Sequence, residues 1–485
     1  MDIAFITEGT YPHVRGGVGT WCDQILKGLP QHTFDIYAIC GDEYVKPIYT
    51  PPSNVRSISF VPLWGLHAAP QARRERLTGE FEAAYAQLLS ALLQPSLVDA
   101  SGFVSALKTL HFYAQHSDLS VAFNHRRSVE RLWSEWQEGA SAPQTRTLLP
   151  LLPSPSLSDA LHASMWLDHL LRPLGWPAPK ADLTHATSNG LSTLMAFTAH
   201  WTYGTPCILT EHGMYLRERY FEYPRVPFTP ALRAFLLRFQ ILLSHGAYQI
   251  AATVAPVSDY NCRWAIRNGG AYRDRIHPIY NGIEPGLFPP ATNEPVVPTI
   301  CWVGRIDPLK DVETLIQGFR LVRDAVPTAQ LRLFGDVPVG NEAYGQRCQD
   351  LVDHLQLRDA VTFEGYVSKV ADAYHAGHIV ALTSISEGFP YTVIESMATG
   401  RCSVATDVGG VSEAIGSAGM VVAPRDPRAF AEACVKLLTN SELRQQMGRD
   451  ARARVLELFT LERCLNTYNE LYRTTVDSTQ AEAAD

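Results

Sequence analysis

The segment Glu387-Gly-Phe-Pro-Tyr-Thr-Val-Ile-Glu395 follows an apolar run from Ile379 and closes with Ser-Met-Ala-Thr-Gly400. Pro390 near the start and Gly400 just past the end predict a helix between them, because proline suits the first helical position and glycine the residue beyond the last. The start of such a helix presents backbone N–H groups, near Tyr391 and Thr392, and its dipole favours an anion there. Glu387, on the loop before it, is placed to accept hydrogen bonds from sugar hydroxyls. Glu395, on the helix, is placed to reach a ribose diol. Two glutamates at this spacing are by themselves an ordinary loop acid and an ordinary helix acid.

Their neighbours change that reading. Trp302-Val-Gly-Arg305-Ile-Asp-Pro-Leu-Lys310-Asp311 follows another apolar run and puts a guanidinium and an ammonium after one strand. A diphosphate leaving group develops negative charge as its bond to a sugar breaks, and fixed cations stabilise that charge without reorganising during the reaction. Arginine grips two oxygens and lysine acts as a point charge. The plain alternative for Arg305 and Lys310 is surface pairing with Asp307 or Asp311. No Asp-x-Asp occurs in the sequence, so the usual bridge for a nucleotide-bound divalent cation is missing and metal-independent chemistry is expected, with no cofactor.

Residues so far apart in sequence need a fold that gathers them. Strand-like runs at Ile3–Thr7 and Phe34–Cys40 flank the Gly-rich stretch Arg15-Gly16-Gly17-Val18-Gly19 and a helix from about Thr20, which is a βαβ start. Further strands are predicted at Leu183–Ala186, Cys207–Thr210 and Thr253–Pro256. Residues 66–155 read as a helical insertion, with helices over Arg76–Leu93 and Ser120–Trp136 and a Pro- and Leu-rich connector from Ala142 to Pro155. Prolines 285, 289, 290, 295 and 298 mark a boundary. Beyond it, Thr299–Val303, Gln330–Phe334, Val361–Phe363, Ile379–Thr383, Cys402–Thr406 and Met420–Val422 alternate with helices as in a doubly wound parallel sheet. The expected organisation is a first α/β domain over 1–285, a second over 286–456, a helix over 457–475 returning to the first domain, and a disordered tail over 476–485.

Composition narrows the class. The 485 residues exceed one ordinary core, and 46% hydrophobic with 19% charged residues is a globular balance. A net charge of −8 argues against a nucleic-acid coat. Nine cysteines stand singly with no C-x-x-C pair, which fits reduced thiols in a cytoplasm. The opening Met-Asp-Ile-Ala-Phe-Ile-Thr is too short and too acidic for a signal peptide, and Ala231–Val257 carries Arg233, Arg238 and His245, so a buried helix and strand are expected there rather than a membrane span.

Taken together, Gly304-Arg305 with Lys310, Phe363-Glu-Gly-Tyr-Val367, Glu387 to Glu395, and Ala405-Thr-Asp-Val-Gly-Gly410 resemble the retaining glycosyltransferases of family 4, whose GT-B architecture is two facing Rossmann-like domains. Thr7-Glu8-Gly9-Thr10-Tyr11-Pro12-His13-Val14-Arg15-Gly16-Gly17-Val18 and Leu209-Thr210-Glu211-His212-Gly213-Met214-Tyr215-Leu216-Arg217-Glu218-Arg219 resemble the branch containing the Pel exopolysaccharide glycosyltransferase. The resemblance implies that Arg305 and Lys310 hold a diphosphate, with the amides of Gly16 and Gly17 close to it. It places Tyr366 and Val367 beside the base, Glu395 on the ribose, and Glu387, Gly388, Phe389 and Pro390 facing the donor sugar. His212 would stand near the reacting centre. Pro390 replaces the family's commoner glycine and has no N–H, so a phosphate contact must come from Tyr391 or Thr392. The resemblance further implies a UDP-linked hexose donor, a glycan acceptor, a peripheral association with an inner-membrane polysaccharide export complex, and retention without a protein nucleophile, a phosphate oxygen of the donor serving as base.

Three rivals follow from the same residues. Gly16-Gly17-Val18-Gly19 with Asp42 and Glu43 resembles an NAD site, although Trp21 and Cys22 stand where a third small residue is wanted. The others are a sugar-nucleotide epimerase of the same fold and a binder without turnover.

Overall fold

The computed structural model describes residues 1–42, 44, 46–65, 77–94, 99–144 and 150–484. The chain divides into two compact units. Unit 1 comprises Met1–Pro256, Asn261–Pro278 and Tyr468–Asp485, and unit 2 comprises Val257–Tyr260 and Ile279–Thr467. The division between Pro278 and Ile279 precedes the proline-rich stretch that the sequence singles out.

Unit 1 holds β1 (Asp2–Glu8), β2 (Thr33–Cys40), β3 (Val55–Pro62), β4 (Leu183–Ala186), β5 (Cys207–Glu211) and β6 (Thr253–Pro256), all parallel and ordered β3-β2-β1-β4-β5-β6. Helix α1 (Gly17–Gly28) crosses from β1 to β2. Strands β4, β5 and β6 are buried along their whole length, as befits parallel strands covered on both faces. The insertion supplies α2 (Gly79–Leu93), α3 (Ser101–Ala114), α4 (Leu119–Phe123), α5 (Arg126–Ser141) and α6 (Leu157–Leu171). These share one core with Ile6, Ile39 and Val61 of the sheet, and Trp136 stacks on Phe235 at 4.8 Å. The expected single helix over Ser120–Trp136 is two, because Asn124 ends α4 and His125, whose Nδ1 accepts the amide of Arg127, caps α5. The remaining helices are α7 (Ser192–Tyr203), α8 (Tyr215–Glu222), α9 (Pro230–Ile250) and α10 (Asp259–Gly269), the last belonging to unit 1 from Asn261.

Unit 2 holds β7 (Thr299–Val303), β8 (Gln330–Phe334), β9 (Val361–Gly365), β10 (Ile379–Leu382), β11 (Cys402–Thr406) and β12 (Met420–Val422), again all parallel, ordered β12-β11-β10-β7-β8-β9. One face carries α11 (Val312–Ala325), α12 (Glu342–His354) and later α16 (Pro427–Thr439), packed on Ile300, Trp302 and Leu331. Toward the other lie α13 (Val370–His375), α14 (Tyr391–Ala398), α15 (Val411–Ile415) and α17 (Ser441–Leu458). The last helix, α18 (Leu461–Ala484), belongs to unit 2 through Thr467 and to unit 1 from Tyr468.

Read within each unit, both strand orders are the Rossmann order 3-2-1-4-5-6. The order reverses between β1 and β4 in unit 1 and between β7 and β10 in unit 2. Ligands of such sheets bind at this switch point, beyond the carboxyl ends of the strands.

The tail expected to be disordered over 476–485 is helical through Ala484. Its Ala and Glu residues propagate helix well, and α18 is already anchored upstream, where the Tyr472 hydroxyl lies 2.7 Å from Nδ1 of buried His185. All nine cysteines are buried thiols. Among the described residues no helix is long and apolar enough to cross a membrane.

Candidate active site

In unit 2 the loops after β7 and β10 meet across the switch point. Lys310 Nζ lies 2.6 Å from Glu387 Oε1, and the same oxygen accepts the Ser384 hydroxyl at 2.5 Å. Main-chain bonds set this pair: the Ile385 amide donates to the Leu309 carbonyl at 2.8 Å and the Thr383 hydroxyl to the Lys310 carbonyl at 3.0 Å. Both side chains are partly withdrawn from water, at 22% exposure for Lys310 and 11% for Glu387. Arg305 is different. Its side chain is 58% exposed, with only a 3.4 Å approach to Asp307, so it is available to an incoming anion.

Three close backbone approaches build these loops. A Cβ on Gly335 (φ +135°) would lie 1.8 Å from the Gly304 carbonyl oxygen, which locks the loop after β8 against that before Arg305. A Cβ on Gly409 (φ +59°) would lie 1.9 Å from the Glu387 carbonyl oxygen. The Gly410 amide donates to the Gly388 carbonyl at 2.7 Å. The Ala405-to-Gly410 motif therefore acts as the platform under Glu387.

Helix α14 begins at Tyr391 with Pro390 as its N-cap and no side-chain cap. Thr392 Oγ1 reaches the Val303 carbonyl at 3.5 Å, tying that first turn to the end of β7. Glu395 accepts the Tyr374 hydroxyl at 2.6 Å. Burial pushes the Glu395 carboxyl up to about 7, partly offset by that hydrogen bond, and drives the Tyr374 hydroxyl well above its ordinary value. The Tyr374 ring belongs to the cluster on which Val367 packs, so one tyrosine links the strip expected beside the base to the acid expected at the ribose. The Tyr366 ring is 63% exposed next to it.

Phe389 departs from expectation. Its ring is 3% exposed and packs on Tyr280 and Phe459 at 5.0 and 5.1 Å, and its carbonyl is held by Asn281 at 2.9 Å. It anchors the loop from below, and its ring cannot face a sugar.

In unit 1 the two signature segments converge at the other switch point. Glu8, ending β1, accepts the Tyr215 hydroxyl at 2.9 Å, the Ser188 hydroxyl at 3.1 Å and the Ser192 amide at 3.3 Å. Glu211 ends β5 buried, accepting Tyr248 at 2.7 Å and Asn189 at 3.0 Å, and burial pushes its carboxyl up to about 7. His212 lies edge-on to Trp21 at 4.4 Å, with its Nε2 buried and unpartnered. Burial lowers it to about 3, so the ring is neutral near pH 7.

Gly16 caps α1 in an extended conformation and Gly17 is its first residue, so the helix starts three residues earlier than expected and both amides belong to its uncapped N-terminus. The close approach in this loop belongs to Gly19, where a Cβ would meet the Val14 carbonyl oxygen at 2.5 Å. Asp42 is exposed after β2, and Glu43 lies outside the described residues. Tyr374, Ser384, Glu8 and Tyr215 are site residues to which sequence reasoning gives no role. Glu8 and Tyr215 stand inside the quoted motifs, whereas an isolated tyrosine such as Tyr374 reads as core. Among the described residues no group of three or more His, Cys, Asp or Glu could hold a metal ion.

Residues 1–273 match the family described as "Domain of unknown function (DUF3492)", which is more than half of the chain. The chain belongs to the DUF3492 family. In this member, residues 297–440, holding Arg305, Lys310, Tyr374, Glu387 and Glu395, match "Glycosyl transferases group 1". Among curated proteins it is similar to N-acetyl-alpha-D-glucosaminyl L-malate synthase of Bacillus anthracis, 32% identical over 34% of this chain and 42% of that protein. It is also similar to D-inositol 3-phosphate glycosyltransferase of Streptomyces griseus, 29% identical over 39% and 44%. The match thus spans less than half the length of these relatives. Among solved structures, sucrose-phosphate synthase of Thermosynechococcus elongatus superposes over 100% of both chains with a TM-score of 0.63 at 21% identity. Anabaena Alr3699/HepE in complex with UDP covers 98% of this chain and 100% of its own, with a TM-score of 0.62 at 14% identity. This DUF3492 chain therefore has the GT-B fold, with a glycosyl transferase group 1 domain in its second half.

Proposed function

We propose that the chain is a retaining, metal-independent glycosyltransferase of family 4 type that moves a hexosyl unit from a UDP-sugar to a glycan acceptor in exopolysaccharide synthesis. The observation that carries this reading is the Lys310–Glu387 pair at the unit 2 switch point, beside the uncapped start of α14 and with exposed Arg305 on the same loop as Lys310. Sucrose-phosphate synthase shares the fold, and HepE structures hold UDP or UDP-glucose, which supports a UDP-linked donor.

Arg305 and Lys310 meet the diphosphate and stabilise the charge that develops on it, and the amides of Tyr391 and Thr392 direct the α14 dipole at the same group. Glu395, set by Tyr374, takes the ribose diol, with Val367 and Tyr366 bordering the base. Glu387 already accepts bonds from Lys310 and Ser384 on one oxygen. A carboxylate so engaged is a weak nucleophile and a good acceptor for sugar hydroxyls, which favours transfer without a glycosyl-enzyme intermediate. The cationic side chains do what a divalent metal does in other transferases. An acceptor side in unit 1, around Glu8, His212 and Tyr215, and a peripheral place at a polysaccharide export complex complete the reading.

The test is release of UDP from UDP-sugars by the purified chain with added glycan, in EDTA, with the product anomer read by NMR. Glu387→Ala and Arg305→Ala are expected to lower the rate by roughly 10²-fold or more, as loss of transition-state charge stabilisation does. Wild-type rates in both variants, or a β-linked product from an α-linked donor, refute the assignment.

A further inference from the structure

The amino-terminal ends of β10 and β11 face a second site. A cavity of about 700 Å³ opens there, bounded by the 290–294 segment, by Gly400 and Arg401, and by one stripe of α17 containing Arg444, Gln445, Arg449 and Arg452. Lys310 and Glu387 lie at the other end of the sheet, beyond the four residues of β10, which span about 13 Å at 3.3 Å per residue. The helix can lie this close because position 448 is glycine: a Cβ there would meet the Gly400 carbonyl oxygen at 2.2 Å.

The charges in this cavity do not balance. Arg401 and Arg444 are each 5% exposed, and they share a single carboxylate, Glu294. Arg444 grips it with two nitrogens at 2.9 and 2.7 Å, while Arg401 approaches only to 3.9 Å. One nitrogen of Arg401 donates to the Asn293 carbonyl at 2.6 Å, but its Nε–H is buried with no acceptor. One nitrogen of Arg452, Nη1, donates to the Phe288 and Ala398 carbonyls, and Arg449 donates to Gln446. His378 adds no further positive charge, since burial and then Arg444 lower it to about 4. Glu294 is the one acidic residue among the described residues that line the space. Four guanidinium groups therefore face one carboxylate, and a buried cation without a full partner is costly.

We propose that this cavity is a second anion-binding site, built for a small phosphate-bearing metabolite and separate from the donor site. Its volume falls in the usual range for small-molecule pockets. Arg401 and Arg444 are recessed in its walls, so the anion has to enter the cavity, which suits a free phosphate ester better than a flat membrane surface. Exposed Arg449, with Gln445 beside it, guards the rim.

The probe is inorganic pyrophosphate, titrated calorimetrically into the full chain held in excess UDP, and also into Arg305→Ala/Lys310→Ala without UDP, so that failure of the donor-site reading leaves this one testable. Saturable binding in both preparations, weakened at least about tenfold by Arg449→Glu and by Gln445→Glu, is the expected result. Both positions lie on the exposed face of α17, and an unchanged melting temperature shows that these variants fold. Absence of saturable binding, indifference to both rim substitutions, loss of binding in Arg305→Ala/Lys310→Ala, or binding only to vesicles of anionic phospholipid each overturns the proposal.

Discussion

Replacing Gly409 with alanine is the sharpest probe of how the Glu387 loop is held. The residue adopts φ +59°, and its new Cβ would start 1.9 Å from the Glu387 carbonyl oxygen and 3.0 Å from that of Gly388. Real Cβ contacts stay beyond 3.0 Å, so the loops must part by at least 3.0 − 1.9 = 1.1 Å. The left-handed backbone costs a non-glycine residue about 1–2 kcal/mol, and overpacking of this kind about 1–3 kcal/mol. The stiffer unfolded chain returns about 0.4–1 kcal/mol, leaving a net loss of roughly 1–5 kcal/mol, centred on about 3 kcal/mol. At about 2–4 °C per kcal/mol, the central value lowers the transition of unit 2 by roughly 6–12 °C in calorimetry. The displaced Glu387 lowers kcat/KM by about 10²-fold, the usual effect of a 1 Å misplacement. Gly204→Ala is the control. That glycine is also left-handed (φ +71°, ψ +12°), and a Cβ there meets nothing within 4 Å, so it isolates the backbone contribution and leaves turnover intact. A Gly409→Ala chain that melts within about 1 °C of wild type and keeps its kcat/KM refutes the platform.

Four further outcomes follow from the buried titrating groups. Glu395 titrates near 7 when folded and near its ordinary 4.5 when unfolded, so its stabilising contribution is complete below pH 4.5 and lost as pH rises through about 7; Glu395→Gln should flatten that slope, worth at most about 3 kcal/mol, in urea titrations across pH. The same residue makes UDP affinity weaken below about pH 7, binding there being coupled to release of up to one proton per site, a dependence that Glu395→Gln abolishes in calorimetry run in buffers of different ionisation enthalpy. His185, buried and lowered to about 3 between Tyr472 and Thr210, gives the opposite sign: stability is full above pH 6.5 and declines as pH falls toward 3, and His185→Gln should lessen that acid sensitivity. His212→Phe should keep the edge-on contact with Trp21 and the melting temperature while lowering kcat, since the ring nitrogen and not the packing is what the substrate would use; unchanged kcat assigns His212 to the core.

The interior of the sheets is plain in the sequence because parallel strands covered on both faces read as short, mostly apolar runs bounded by turn residues. Leu183–Ala186, Thr299–Val303, Gln330–Phe334 and Cys402–Thr406 are found at their expected bounds. Strand β3 escapes that signal. It pairs on one side only, and Arg56, Ser57 and Ser59 interrupt its apolar pattern. The same logic separates the site residues. Glu387, Lys310 and Glu395 announce themselves as charged groups after strands, whereas Tyr374 and Ser384, which orient them, have the composition of any core or loop. Phe389 misleads for a related reason: its place in the motif is real, but the motif needs its ring as an anchor. Which glycine matters is equally hidden, since the need for Gly19, Gly335 or Gly409 comes from a carbonyl that arrives from elsewhere in the chain.

The ion pair between Lys310 and Glu387 also bears on how a charged ligand finds this site. With the lysine already neutralised by its neighbour, the resting loop presents little net field from that pair, and Arg305 supplies the long-range attraction. Association of a nucleotide should then depend only weakly on ionic strength, with a slope set by one exposed charge. The lysine enters later, when the arriving phosphate draws it from the carboxylate, so its effect belongs to residence time and not to encounter.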